Sequence, residues 1–264
     1  MPLTSSLHIP HRFNGPPTSG NGGWVGGALA RALGVAAADV SLRAPPPLDA
    51  DLTLRCEGPG HAALYDGERL LAEARAGGVD VEVPPAPSLD AARAAGLAGR
   101  LRAASRPDSP YARCFACGAL RADGLRISPG RVSTLRTALP GAVPELDPAD
   151  EPDDPGVVAA DWTPPADLAE PDGTVRPEAI WAALDCPAGI AWSHRLGMMT
   201  AMMTARIQLA IDRAPKVGEA CIVIGWPIAQ DGRKLHAGTA IVDDAGVLRA
   251  HSRQLWLMPR DAGG

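Results

Sequence analysis

At 264 residues, 46% hydrophobic and 21% charged, the chain is apolar enough to bury a real core, so its 29 glycines and 27 prolines do not signal wholesale disorder. A formal net charge of −5 argues against a nucleic-acid backbone as the main partner, and any anionic ligand needs a local basic patch. No window offers the roughly 18 consecutive apolar residues of a membrane span. The first ten residues lack a basic-then-apolar secretory pattern, and five scattered cysteines, an odd number, fit a reducing, cytoplasmic compartment.

The first predicted element is a helix over 21–34 (NGGWVGGALARALG). Trp24, Val25, Ala28, Leu29, Ala32 and Leu33 fall at helical spacing, and Gly34 is a natural C-cap. Gly22, Gly23, Gly26 and Gly27 each cost about 1 kcal/mol in a helix relative to Ala. A helix that tolerates them is held by tertiary packing, with glycine permitting close backbone approach. Strands are predicted over 39–44, 52–57, 62–65 and 69–76, separated by Pro45-Pro46-Pro47, Gly58-Pro59-Gly60 and Asp66-Gly67. A Pro-rich run at 84–87 then opens an Ala/Arg/Leu-rich helix over 88–104, capped by Ser88, which reads as a connector.

The second half repeats the order of the first. After an acidic, Pro-rich stretch over 140–156, expected to be a solvated loop, come a short strand at 157–161 and a polar excursion over 164–175. A helix is predicted over 177–196 with Pro177 in its first turn, although Pro187 is expected to kink or end it. Strands follow over 201–211, 220–230, 234–243 and 247–256, with hairpin turns at 230–232 and 243–246. Both halves are one long helix followed by an antiparallel meander, a repeat of architecture with little residue identity.

The words RFNGPPTSGNGGWVGGALA (12–30), VSLRAPPPLDADLTLRCEG (40–58) and DGERLLAEARA (66–76) resemble the first half of hot-dog acyl-CoA thioesterase-like proteins. RPEAIWAALDCPAGIAW (176–192) and the run 215–256 resemble a second such module. The resemblance covers about four fifths of the chain and implies an α+β, double hot-dog fold. In that fold two antiparallel sheets join into one and wrap around two central helices. The implied division is an N-terminal module at 1–83, a connector at 84–110 and a C-terminal module at 111–264. In the phenylacetyl-CoA thioesterase-like branch a helix opens with a His-Gly-Gly word, and a carboxylate follows about two and a half turns later on the same helix. A glycine amide there polarises the thioester carbonyl, and the partner module's carboxylate acts as nucleophile or general base.

This chain splits that constellation between its halves. Asn21-Gly22-Gly23 stands where His-Gly-Gly would, but the matching carboxylate position falls near Ala30. Asp185 holds the carboxylate position of the second helix, whose start, Arg176-Pro177-Glu178, has no glycine pair. The resemblance therefore implies one composite site, with Gly22 and Gly23 amides facing Asp185, and a second site lacking both parts.

Each candidate also has a bland reading. Asp185 sits among Ala182, Ala183, Leu184 and Ala188, where burial raises a carboxyl pKa, yet it could only bond across the helix seam. Asn14 could present its amide to a thioester, or could belong to an Asn-Gly-Pro-Pro turn. Asn21 reads as an N-cap, Trp24 lies just behind it, and His11 and Arg12 either meet ligand or sit in a solvated loop. Arg233, Lys234 and His236, with Arg249, His251 and Arg253, could grip coenzyme phosphates or simply occupy exposed strand faces. Met198, Met199, Met202 and Met203 suit an acyl pocket or a core. Cys114-Phe115-Ala116-Cys117-Gly118 has the form of a zinc knuckle without a second CxxC, so a turn with inward thiols is the simpler reading and no metal is expected.

The expected function is hydrolysis of a small-molecule acyl thioester, with coenzyme A as part of the substrate and no separate cofactor. The alternative is a non-catalytic acyl-CoA or lipid-binding protein. No nucleic-acid or membrane partner is expected, and a homodimer is compatible with the fold.

Overall fold

A computed structural model describes residues 3–132, 156–198 and 202–260. Among these residues eleven strands form a single antiparallel sheet, and three α-helices pack on it. The strands are β1 (Leu3–His8), β2 (Ala37–Leu42), β3 (Asp51–Cys56), β4 (His61–Asp66), β5 (Arg69–Ala76), β6 (Gly130–Arg131), β7 (Val158–Trp162), β8 (Met203–Ile211), β9 (Cys221–Asp231), β10 (Lys234–Asp243) and β11 (Leu248–Leu257). Their order across the sheet is β1-β3-β4-β5-β2-β8-β11-β10-β9-β7-β6. All strands of the first half thus lie at one end and all strands of the second half at the other. The halves meet where β2 pairs with β8, with Val40 opposite Ile207 and an Arg206–Asp39 ion pair on the neighbouring rungs.

Helix α1 (Gly22–Leu33) starts at Asn21, whose side chain accepts from the Trp24 amide at 2.9 Å, and stops at Gly34, which takes the left-handed φ of 66° that ends helices. Helix α2 (Leu89–Ala104) is capped by Ser88 and lies against β7 at the far end of the sheet. Helix α3 (Pro177–Arg195) continues through Pro187 instead of ending there. The proline supplies no N–H to its turn, and beside it the Leu184 carbonyl is taken by Thr239 Oγ1 (2.9 Å) and Gln254 Nε2 (2.6 Å) of the sheet. Sheet side chains therefore bind the helix backbone one residue from the carbonyl that the proline leaves without its donor.

The predicted strands are found within a residue or two. Strand β1, a polar edge strand paired only with β3, was not expected. The acidic stretch 140–155 and Met199 lie outside the described residues. No helix among the described residues is long and apolar enough to cross a membrane.

Helices α1 and α3 pack antiparallel through a face of α1 that has almost no side chains. A Cβ on Gly23 would lie 2.4 Å from the Trp181 carbonyl oxygen, on Gly26 2.6 Å from the Trp181 ring, and on Gly27 2.5 Å from Glu178 Cα. Gly23 and Gly27 thus trade propensity for a backbone-to-backbone seam, and Gly26 makes room for the Trp181 ring. One buried cluster containing Leu29, Leu64, Trp181, Leu184 and Ile207 continues through it, so both halves share a core. At the end of the seam away from Asn21, Arg31 clasps Glu178 with two hydrogen bonds (2.6 and 2.9 Å) and also pairs with Glu170. Gly27→Ala should lower the unfolding free energy by about 1–3 kcal/mol through overpacking against the α3 backbone. A gain of about 1 kcal/mol in denaturant melts, the helix-propensity value, would show that the seam is looser than this.

Candidate active site at the helix seam

The start of α1 points at the middle of α3, where Asp185 is 3% exposed. Asn21 Nδ2 (2.9 Å) and the Gly23 N–H (3.1 Å) donate to its Oδ2, and Thr204 Oγ1 donates to its Oδ1 at 2.8 Å. Asn21 is therefore both N-cap and carboxylate donor. Its Oδ1 is held by the Trp24 amide, which turns Nδ2 towards Asp185. Burial pushes the Asp185 carboxyl up to about 6, against the pull of Thr204, Gly23 and Asn21, which favour the charged form.

Sequence reasoning assigned both the Gly22 and Gly23 amides to a thioester oxygen. In the structure the Gly23 N–H is committed to Asp185, whereas the Gly22 N–H has no hydrogen-bond partner among the described residues. Gly22, Asn21 and Asp185 line one cavity with Leu42, Arg43 and Trp256 at its sides. Thr204, which lines the same cavity, was missed, because a single threonine at the start of a strand carries no motif.

The other candidates are distributed as follows. Asn14 is buried, but its amide nitrogen donates to main-chain carbonyls including Gly15 (2.9 Å) and Arg113 (3.2 Å), and its oxygen accepts from Arg121 at 2.7 Å, so it staples the N-terminal loop to the CxxC segment. Trp24 is stacked on Phe13 at 3.5 Å, with Phe115 edge-on to both rings. His11 is exposed, and its amide donates to Asp49. Arg233 and Lys234 lie at the exposed β9–β10 hairpin, where Arg233 bonds the Met258 carbonyl and Lys234 pairs with Asp231. The His236 carbonyl accepts from Trp192. None of these six lines the Asp185 cavity, although Lys234 stands opposite Leu257, which does. Of the methionines, Met202 is buried at the cavity wall, while Met198 and Met203 are exposed.

Folding brings Cys186 of α3 to the CxxC turn. The sulfurs of Cys114, Cys117 and Cys186 all lie within 4.8 Å of one another, with 3.8 Å between Cys114 and Cys186. Hydrogen bonds from the neighbouring thiols and from the Ala116 and Cys117 amides hold the Cys114 thiol well below its ordinary range. They leave Cys117 and Cys186 protonated, with raised values. No fourth His, Cys, Asp or Glu joins the group among the described residues, so a tetrahedral ion would find three protein ligands there.

The sign of the Asp185 shift has a stability consequence. An acid whose folded value is about 6 and unfolded value 3.8 binds more protons when folded, so its contribution is lost as pH rises from about 4 to 6. Asp185→Asn should therefore be more stable than wild type at pH 7–8, by about 3 kcal/mol on linkage, with the advantage shrinking below pH 4. Denaturant unfolding at the two pH values checks this, and an unchanged or reduced stability at pH 7–8 would contradict it.

The sequence matches no protein-family model and no curated protein. The structure is similar to several solved ones over nearly its whole length. The tesB protein of Mycobacterium avium subsp. paratuberculosis superposes with a TM-score of 0.60 at 13% identity, covering 98% of this chain and 92% of that one. A candidate thioesterase from Novosphingobium aromaticivorans gives 0.57 at 15% identity, covering 97% and 95%. A hot-dog-fold protein of unknown function from Alicyclobacillus acidocaldarius gives 0.55 at 10% identity, covering 99% and 94%. Strand order, helix seam and these superpositions agree that the chain has the hot-dog fold.

Proposed function

We propose that the protein is an acyl-CoA thioesterase of hot-dog type, built from two modules (1–83 and 111–264) joined by the connector 84–110, with one composite active site between them. The observation that carries this reading is the buried Asp185 carboxylate beside the Gly22 N–H at the start of α1, which has no partner among the described residues, with both residues lining one cavity. The tesB and thioesterase names of the structural neighbours support the same reaction class.

In the proposed reaction the thioester carbonyl oxygen lies against the Gly22 N–H, where the amide and the positive end of α1 stabilise developing negative charge. Asp185, ionised above pH 6, takes a proton from water as the hydroxyl adds to the carbonyl carbon. The carbon–sulfur bond then breaks, and the coenzyme thiolate leaves and collects the proton. Asn21, Thr204 and the Gly23 amide hold the carboxylate in place. Arg43 at the cavity wall, with Lys234 and Arg233 on the neighbouring hairpin, would meet the coenzyme phosphates. At the other end of the seam the Arg31–Glu178 pair fills the space that a symmetric second site would need.

One observation favours the non-catalytic alternative: both hydrogen bonds to Oδ2 are internal, as in a carboxylate kept for structure. Thiol release from a panel of acyl-CoAs separates the two. The thioesterase reading expects turnover that rises with pH through about 6 and falls about 10²- to 10⁴-fold in Asp185→Asn. Equal rates in variant and wild type would reject the mechanism, and tight acyl-CoA binding without turnover would establish the binding protein.

A further inference from the structure

A second cavity adjoins the first, and Tyr111, Cys186, Met202 and Trp256 line both. The inner chamber runs between α2 and α3. Cys186, Gly189, Ile190 and Ser193 are spaced along a single face of α3, which carries the chamber about 12 Å beyond Asp185 at the rise of an α-helix. Its walls are mostly apolar, and no Asp or Glu lines it.

On the α2 side of the chamber stands a cation without a counterion among the described residues. Arg102 of α2 lines the chamber, is 6% exposed, and makes one side-chain hydrogen bond, from Nη2 to the Pro129 carbonyl at 3.2 Å. Among the described residues no carboxylate pairs with it. Arg106, which is exposed, also lines the chamber. The positive potential is felt by His194, the residue after Ser193: burial first, then Arg102 and Arg131, push its value down to about 2, and neither ring nitrogen has a partner. A buried guanidinium facing an apolar chamber is costly unless an anion completes it. Its planar fork fits a carboxylate with two hydrogen bonds.

We infer that this chamber holds the acyl chain and that Arg102 binds an anionic group at the chain's far end, so that the preferred substrates are medium-length ω-carboxyacyl thioesters. This rests on the thioesterase reading above, with the thioester at Asp185 and the acyl chain directed inward. The same guanidinium could instead take a coenzyme phosphate, and the test separates the two sources.

Wild-type protein is assayed by thiol release with suberyl- and adipyl-CoA against octanoyl- and hexanoyl-CoA, and Arg102→Met and Arg102→Lys are assayed on the same set. The expected result is a kcat/KM about tenfold to a hundredfold higher for the dicarboxylic substrates, lost in Arg102→Met and partly kept in Arg102→Lys. Monocarboxylic turnover should not fall in Arg102→Met, and thermal melts report that both variants are folded. A wild type that hydrolyses octanoyl-CoA as well as suberyl-CoA would overturn the inference while leaving the thioesterase reading intact. So would an equal loss on both substrate classes in a folded Arg102→Met, which would assign Arg102 to the coenzyme. Hydrolysis of none of the four would count against the thioesterase reading itself. If Arg102→Met does not fold, inhibition of the wild type by free suberate but not by the neutral octane-1,8-diol replaces it, and equal inhibition by the two overturns the inference.

Discussion

The glycine-lined contact between α1 and α3 sets where everything else in the site can lie. With a Cβ at Gly23 or Gly27 the two backbones could not approach to the separation seen, and the first amides of α1 would stand away from the middle of α3. At this separation a helix N-terminus, with its unsatisfied N–H groups and positive potential, is driven against a buried carboxylate from the other half of the chain. Neither half holds both parts, so the juxtaposition exists only when the two halves share a sheet and a core.

Two opposing effects act on Asp185. Burial favours the neutral acid, whereas three donors favour the anion, and burial wins only far enough to leave the carboxyl near 6. A group balanced there is ionised at neutral pH and remains basic enough to accept a proton, which suits a general base. The surroundings are braced from one side by the Phe13–Trp24–Phe115 cluster and the Asn14 staple, which tie the CxxC segment to the start of α1. That segment supplies Tyr111, Cys114 and Cys117 to the cavity walls, so it shapes the pocket as well as bracing the start of α1.

Local chemistry made much of the fold readable in advance. The Asn21 and Ser88 caps, the Gly34 stop and the Asp66-Gly67 and Gln230-Asp231-Gly232 turns are decided by residues within a few positions, and each stands where its chemistry required. The unread parts depend on distant partners. β1 is polar and becomes a strand only because β3 offers an edge. α3 continues past Pro187, and Thr239 and Gln254, distant in sequence, bind the Leu184 carbonyl in the same turn. In the site, Asp185 and the glycine pair were legible through the family words, but Thr204, the joining of Cys186 to Cys114 and Cys117, and the burial of Arg102 were not. Helix α2 has Ala, Gly and Arg on every side, so its sequence does not mark which arginine faces inward.

The central claim is that the Gly22 N–H and Asp185 act on the same carbonyl, and Gly22 permits a direct test. Gly22 is the first residue of α1, where proline is tolerated, and Asn21 before it has the extended backbone that a following proline requires (φ −63°, ψ 132°). Gly22→Pro removes one N–H, while Gly22→Ala keeps it and adds a Cβ against the same movable Leu42 side chain. Measured by single-turnover thiol release, the proline variant should be slower than the alanine variant by about 10²-fold or more, with similar acyl-CoA affinity. Equal single-turnover rates in the two variants would contradict the composite site.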